Sequence, residues 1–365
     1  MEVVQLKINK NPKIGLILIF LWHSLVFTQN GPTIVLGKEQ IITNDNYHNS
    51  FPSVIKLKEG LIIVSYRKSK GHLSPYASAV YKSSTNNGKS FSQEFILDDG
   101  KDFIKTKYGI RNLIINELNN GQLMATFWVN DGQKRFAYYK ISLDKGLTWS
   151  DRYEIKDTEA DTFPVGIEGK ILEVNNKYIL PVFVKMDIVS NYASAGVMIS
   201  TDLINWTYYQ VSQNRFSNNN ESVVLLNKKQ NQLIYFYRNV TENALYRSVS
   251  QDVGRTWSDP ENVSFSGYVQ SRPDVTFYPD RGEMYLLYRE GKHQTGAIAI
   301  SYDKGLSWER VTGFQKDSTR FTYGGMASVK RNKSLLIYST ETNLNGLSST
   351  IKNRFVKLKK AWDGK

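Results

Sequence analysis

The stretch SLDKGLTW, Ser142 to Trp149, returns in variant form four more times: SSTNNGKSF from Ser83, STDLINW from Ser200, SQDVGRTW from Ser250 and SYDKGLSW from Ser301. Its polar head, turn glycine and closing aromatic describe a hairpin. The Asp or Asn caps its own backbone, Gly supplies a positive φ, and the ring packs beneath. Each copy is therefore expected to join two outer strands. Counted from Ser84, Ser142, Ser200, Ser250 and Ser301, the copies stand 58, 58, 50 and 51 residues apart. A period near that length with short strands marks a propeller blade. Five copies and a final strand set predict an all-β protein, a six-bladed β-propeller of four-stranded blades.

The repeat runs almost end to end through 365 residues, so one catalytic propeller domain over residues 30–365 is expected in place of two domains. Ahead of it, Lys7, Lys10 and Lys13 precede the apolar run Ile14 to Phe27, the layout of a secretory signal peptide over residues 1–29. With no cysteine in the chain, a lipid-anchored lipoprotein and a disulfide framework are both excluded. A periplasmic or secreted bacterial protein is expected, with no membrane association once the signal is removed. The sequence carries 47 Lys and Arg against 34 Asp and Glu, a net charge of +13, which favours an anionic partner. Because the lysines are scattered and form no basic helix or compact run outside the two ends, nucleic acid is not expected.

Aligning the blades on the turns at Gly60, Gly121, Lys177, Asn231, Gly282 and Lys333 brings out a second register. Ten residues earlier stand Ser50, Arg111, Ile167, Glu221, Arg272 and Tyr323, the entrances of six inner strands that share one mouth. Seven residues after the turns stand Arg67, Trp128, Val184, Arg238, Arg289 and Thr340. Five arginines, Arg67, Arg111, Arg238, Arg272 and Arg289, are thereby expected near the mouth. The apolar runs after the turns, such as LIIVSY from Leu61 and LMATFW from Leu123, read as buried second strands.

The turn pattern resembles the Asp-box sialidase superfamily, whose S-x-D-x-G-x-T-W consensus three copies match nearly letter for letter. The resemblance covers nearly everything after residue 30. It implies the propeller fold and a carbohydrate ligand, and the superfamily holds hydrolases, lyases and pure binding proteins. Ser50-Phe51-Pro52 stands where sialidases keep an Arg-Ile-Pro motif, without its clamp arginine. Arg67 matches the family's second-strand arginine. Lys70-Gly71-His72 falls in the loop that carries the family's acid, and offers His72 in place of a carboxylate. Glu221 and Arg238 resemble the family's Glu and a paired arginine, and Arg289 a further triad member. Tyr323 stands at the nucleophile position, and Glu341 near the Glu that completes that end of the site.

His48, His72 and His293 are the mature chain's histidines, and all fall at the expected channel face. Metal binding by them is disfavoured, since no H-x-H or H-x-x-x-H spacing occurs and the arginines oppose a cation. No cofactor is expected. A mouth rich in Arg, with His and Tyr but few carboxylates, suits β-elimination from a uronic acid. Arg neutralises the sugar carboxylate, His or Tyr removes the adjacent proton, and a second group protonates the departing oxygen. In site composition the chain is similar to propeller lyases of ulvan and related uronic glycans, which leaves lyase and dehydratase both open. The expected catalytic groups are His72 and Tyr323, assisted by His48 and Glu221, with Arg238 and Arg67 on the carboxylate and Arg289, Arg111, Arg272 and His293 as further binding residues. Arg238 and Arg289 are expected to lower the Tyr323 pKa. The alternatives are a sialidase-like hydrolase, with Tyr323 as nucleophile and Glu221 as its partner, and a glycan-binding propeller without catalysis. The sugar and the oligomeric state are not legible.

Overall fold

The computed structural model describes residues 33–130, 135–158, 165–185, 192–212, 216–315, 319–341 and 348–359. The expected signal segment lies outside them. The chain is all-β, and its described helix is confined to two short 3-10 turns, Lys101–Phe103 and Lys228–Gln230.

Four sheets are antiparallel meanders, read here from the first strand outward. The second strand set is Ile110–Glu117, Leu123–Asn130, Arg135–Ser142 and Tyr153–Ile155. The third begins as two pieces, Val165–Ile167 and Leu172–Val174, and continues through Lys177–Lys185, Ala193–Ser200 and Thr207–Gln210. The fourth is Asn219–Asn227, Gln232–Asn239, Ala244–Ser250 and Glu261–Asn262. The fifth is Tyr268–Tyr278, Glu283–Glu290, Thr295–Ser301 and Glu309–Gly313.

The first set, His48–Lys56, Ile62–Ser69, Ala77–Ser84 and Phe95–Asp98, and the last, Arg320–Lys330, Lys333–Glu341 and Ser349–Lys359, are hydrogen-bonded into one nine-stranded sheet. A single parallel bridge, Ser349 to His48, joins them. The outer edge of the last set is paired by Thr33–Leu36 and Gln40–Ile41 from the other end of the chain, which covers an otherwise open strand edge. First strands pack on one another in succession: His48–Lys56 touches Ile110–Glu117, Asn219–Asn227 touches Tyr268–Tyr278, and Arg320–Lys330 returns to His48–Lys56.

The repeated hairpins lie between the third and fourth strands of their sheets, as their turn chemistry requires. In the second set, Asp144 Oδ1 accepts from the Thr148 backbone N–H at 2.8 Å and Ser142 Oγ accepts from the Gly146 N–H at 2.8 Å. Lys145 and Gly146 both take positive φ, 60° and 92°, which the non-glycine Lys145 tolerates because those bonds close around it. The closing aromatic reaches furthest into the core at Trp206, which is fully buried with Leu180, Met198 and Tyr139. The second strands carry apolar side chains on both faces: in Leu123–Asn130, Leu123, Ala125, Phe127 and Val129 pack in one cluster and Met124 and Trp128 in another.

Candidate active site

Five first strands carry extra residues at the same end, seen as register jumps between Ser50 and Ser53, Arg111 and Ile114, Asn220 and Ser222, Val269 and Asp274, and Phe321 and Gly324. The third set's first strand is broken there, between Ile167 and Leu172. A bulge re-aims side chains that simple alternation would send into the sheet. Phe51, Asn112 and Glu221 occupy three of these bulges with φ of 54°, 40° and 38°. Non-glycine residues hold that conformation only where their surroundings over-determine it. The bulged segments converge: Asn112 Nδ2 donates to the Ile167 carbonyl at 3.2 Å and to the Glu168 carboxylate, while Arg272 Nη2 donates to the Pro52 carbonyl at 3.1 Å and the Gly324 carbonyl at 3.3 Å.

Tyr323 and Glu221 form the centre of one half of this cluster. The Tyr323 hydroxyl donates to Glu221 Oε1 at 2.8 Å, and Arg238 Nη1 donates to Glu221 Oε2. The tyrosine ring is packed under two guanidinium groups, Arg272 at 5.0 Å and Arg289 at 5.9 Å from its centroid. Burial opposes ionisation of Glu221, yet the Arg238 charge and hydrogen bond hold its pKa below the ordinary carboxylate value. Burial and the Glu221 charge together push Glu168 upward. Burial and the Glu221 charge also raise the Tyr323 pKa, outweighing the downward pull of Arg238 and Arg289, so the net shift is opposite to the expected one. The phenol therefore stays protonated at neutral pH and holds a proton that it can give.

His48, His72 and Glu341 form the other half. Glu341 Oε1 lies 3.0 Å from His48 Nε2 and 3.1 Å from His72 Nδ1. Burial works against the Glu341 charge, but the two imidazole hydrogen bonds hold its carboxyl well below the usual range. An ionised carboxylate only accepts, so both ring nitrogens facing it carry hydrogen. His72 is thereby held with Nε2 turned from Glu341, and its side chain keeps 32% of its exposure. Burial, helped by the Arg111 charge, lowers the His72 pKa despite the opposing pull of Glu341. A neutral His72 with an oriented, unprotonated Nε2 is suited to taking a proton. These three residues place ligand atoms within 4.8 Å of one another, a set able to receive a divalent cation, although the nearby Arg111 disfavours one. Phe51 joins the halves, its ring centroid 5.5 Å from that of His72 and 4.7 Å from that of Tyr323.

The expected carboxylate-binding arginines separate on geometry. Arg67 has no donor left for a substrate. It is fully buried, and its five N–H groups are directed at the Ile110, Gly71, Ser74 and Tyr108 carbonyls and Ser69 Oγ. That is a correction: Arg67 ties the His72 loop to the start of the second set. Arg289 is held by the carbonyls of Phe321, Gln270 and Thr322, and Arg111 Nη1 by that of His72. Arg238 Nε and Arg272 Nη1 are buried without a hydrogen-bond partner among the described residues, Arg272 Nη1 lying 4.0 Å from Glu168 Oε2. They are the donors best able to meet an anion. His293 is exposed in the turn Gly291–Gln294, and among the described residues no hydrogen bond joins it to either half, so the structure does not bring it into the site as expected.

Phe51, Asn112 and Glu168 are part of the arrangement and were not among the expected residues. The signal for Glu168 was its place one residue beyond Ile167, which only the strand break makes meaningful. A cavity of about 470 Å³ has Glu168 and Arg272 in its wall, together with Lys170, Ser222, Asp274 and Met326. Tyr323, His72 and Glu341 are not among its walls, so the groups able to move protons stand outside it.

A sequence model described as a BNR repeat-like domain matches residues 78–332. Comparison with curated proteins finds no match. Among solved structures, a protein of unknown function from Dyadobacter fermentans is similar at 18% identity with a TM-score of 0.75, over 90% of this chain and all of that one. A Hadza microbial sialidase is similar at 17% identity and a TM-score of 0.67, over 86% of this chain and 66% of that one. An α-L-arabinofuranosidase from Fusarium graminearum is similar at 15% identity and 0.67, over 89% and 98%.

Proposed function

The chain belongs to the BNR repeat-like domain family, and from that premise we propose that it is an exported, carbohydrate-active enzyme with a six-bladed propeller fold that acts on a uronic-acid glycan by β-elimination. The six strand sets, each touching its neighbour and the last returning to the first, support the blade count. The apolar run Ile14 to Phe27 supports export.

The observation that carries elimination over hydrolysis is the hydrogen bond from His72 Nδ1 to Glu341 Oε1 at 3.1 Å, in a ring whose pKa is lowered. It leaves a neutral Nε2, a base where a hydrolase needs an acid. Arg272 and Arg238 receive the sugar carboxylate and stabilise the negative charge that develops when the neighbouring carbon loses its proton. His72 Nε2 takes that proton, the electron pair forms the new double bond, and the bond to the oxygen at the next carbon breaks. Tyr323 gives its hydroxyl proton to the departing oxygen, and the phenolate is held beside Arg272 and Arg289 until water or His72 returns a proton. If the oxygen bears a sugar the product is a shortened glycan such as an ulvan fragment; if it is a free hydroxyl, the reaction is a dehydration.

A sialidase-like hydrolase is the second reading, favoured by the Tyr323 to Glu221 hydrogen bond, which fits a nucleophile with its base. The two are separated by following products from uronic and sialic oligosaccharides. Elimination yields a conjugated double bond that absorbs in the ultraviolet, and hydrolysis yields only a new reducing end.

A further inference from the structure

A row of alternating aromatic and guanidinium groups leads away from Phe51. Arg111 lies over the Phe51 ring at 4.6 Å and over Trp128 at 5.9 Å, and Arg135 lies over Trp128 at 5.5 Å and Phe183 at 4.6 Å. Each guanidinium thus lies over the faces of two rings, whose attraction for the cation helps to hold it in place. The row ends at a second pocket of about 320 Å³, at the small end of ligand-site sizes. Its wall includes Lys107, Arg135 and Lys185, with no Asp or Glu among the described lining residues. Arg135 Nη1 is buried there without a hydrogen-bond partner among the described residues. Burial lowers the Arg135 pKa to about 10, so the group remains cationic at neutral pH.

The pocket adjoins the site already described. Asn220 is in its wall, and the next residue, Glu221, accepts the Tyr323 hydrogen bond. Tyr192 also lines it and is packed edge-on against Phe216, whose ring is 76% exposed. An exposed aromatic pair beside fixed cations is the composition that stacks on a sugar ring and binds its anionic substituent.

We infer that this pocket is a second sugar subsite, which binds the anionic residue, carboxylated or sulfated, next to the one held between His72 and Tyr323. The inference rests on the uronic-glycan reading and deepens it: the substrate is a polyanion of at least two charged residues, and a single uronic acid fills only half of the binding surface. Carboxylate and sulfate ester each present anionic oxygens that Arg135 Nη1 can meet, with the exposed Lys107 adding charge.

The test is calorimetric titration of wild type, Lys107→Ala, Arg135→Ala and Arg135→Lys with methyl glucuronide and with ulvan tetrasaccharides, native, desulfated and carboxyl-reduced. Wild type binds the tetrasaccharide more tightly than the monosaccharide, and Arg135→Ala loses roughly tenfold or more on the tetrasaccharide alone. Lys107 is exposed, so Lys107→Ala folds normally and reports the same selective loss if Arg135→Ala does not. The desulfated and carboxyl-reduced arms tell which anion the pocket reads. Equal affinity for short and long ligands in wild type, or loss of the same size on both in the variants, overturns the inference. Failure of the elimination reading is seen separately, as binding with no ultraviolet-absorbing product.

Discussion

His72 Nδ1 and Glu341 Oε1 are 3.1 Å apart, and the same oxygen accepts from His48 Nε2. This sharing fixes the His72 tautomer as well as its ring plane, in the way an acidic residue orients a catalytic imidazole. Glu341→Gln is expected to lower kcat on the order of a hundredfold while leaving KM nearly unchanged. The pH profile supplies the sharper readout. His72 works as the neutral form, so activity is present above its folded pKa and is lost as pH falls through it. Burial and Arg111 hold that pKa below the free value of 6.5, which places the acid limb below pH 6.5. Removing the Glu341 charge takes away an upward pull, and the limb moves to lower pH still. A limb that stays in place in Glu341→Gln refutes the orienting role.

Tyr323→Phe removes the proton donor and keeps the ring that packs on Phe51. Under elimination, kcat falls on the order of a hundredfold or more with affinity for uronic oligosaccharides retained. Mass spectrometry after exposure to a fluorinated sialic acid is expected to show no adduct on wild type. An adduct on Tyr323 establishes the hydrolase reading instead.

The cluster of His48, His72 and Glu341 makes a definite statement about metals testable. Turnover by elimination through His72 needs its Nε2 unprotonated and Nδ1–H on Glu341, and a cation among these groups would displace that hydrogen. Chelator is expected to leave the wild-type rate unchanged, and added zinc to inhibit. Loss of activity on chelation, restored by metal, shows that the cluster is a metal centre and not an acid–base pair.

The outer architecture was legible because its signals are local. Ser142, Asp144 and Gly146 close their own turn, and they do so wherever the chain carries them. The face that carries the site was legible only to within a residue. Alternation along a strand predicts facing, and a bulge at Phe51, Asn112 or Glu221 shifts it by one, with no compositional mark beyond an Asn in one case. The pairing of His48 and His72 with Glu341 spans almost the whole chain and follows from the last set returning to the first. Arg67 was misread because its partners are backbone carbonyls, which any sequence supplies.

Trp206 is completely buried, with Nε1 donating to the Leu203 carbonyl at 2.9 Å and its ring among residues of the second and third sets. Trp206→Ala is expected to destabilise the fold by about 3–5 kcal/mol through cavity formation. Denaturant unfolding measures this. Product identity from any surviving enzyme is unchanged, since the turn is remote from the proton-transfer groups.

Arg67 and Arg272 are both buried arginines near the site, and they are expected to fail in different ways. Arg67 holds Gly71 and Ser74, which flank His72, and Tyr108 and Ile110, which open the second set. Arg67→Ala strands these carbonyls, and with an unsatisfied buried polar group costing about 1–3 kcal/mol the midpoint of unfolding drops markedly. Because the loop carries His72, kcat falls as well, but the affinity for a uronic monosaccharide does not. Arg272 has Nη2 on two carbonyls, and Nη1 makes no hydrogen bond among the described residues and lies 4.0 Å from Glu168 Oε2. Arg272→Lys keeps a charge and loses the fork, so affinity for the uronic carboxylate weakens by roughly tenfold or more with little change in unfolding midpoint. Titration and thermal melting on the two variants decide the matter: a monosaccharide affinity lost in Arg67→Ala and kept in Arg272→Lys reverses the assignment of which arginine holds the sugar and which holds the loop.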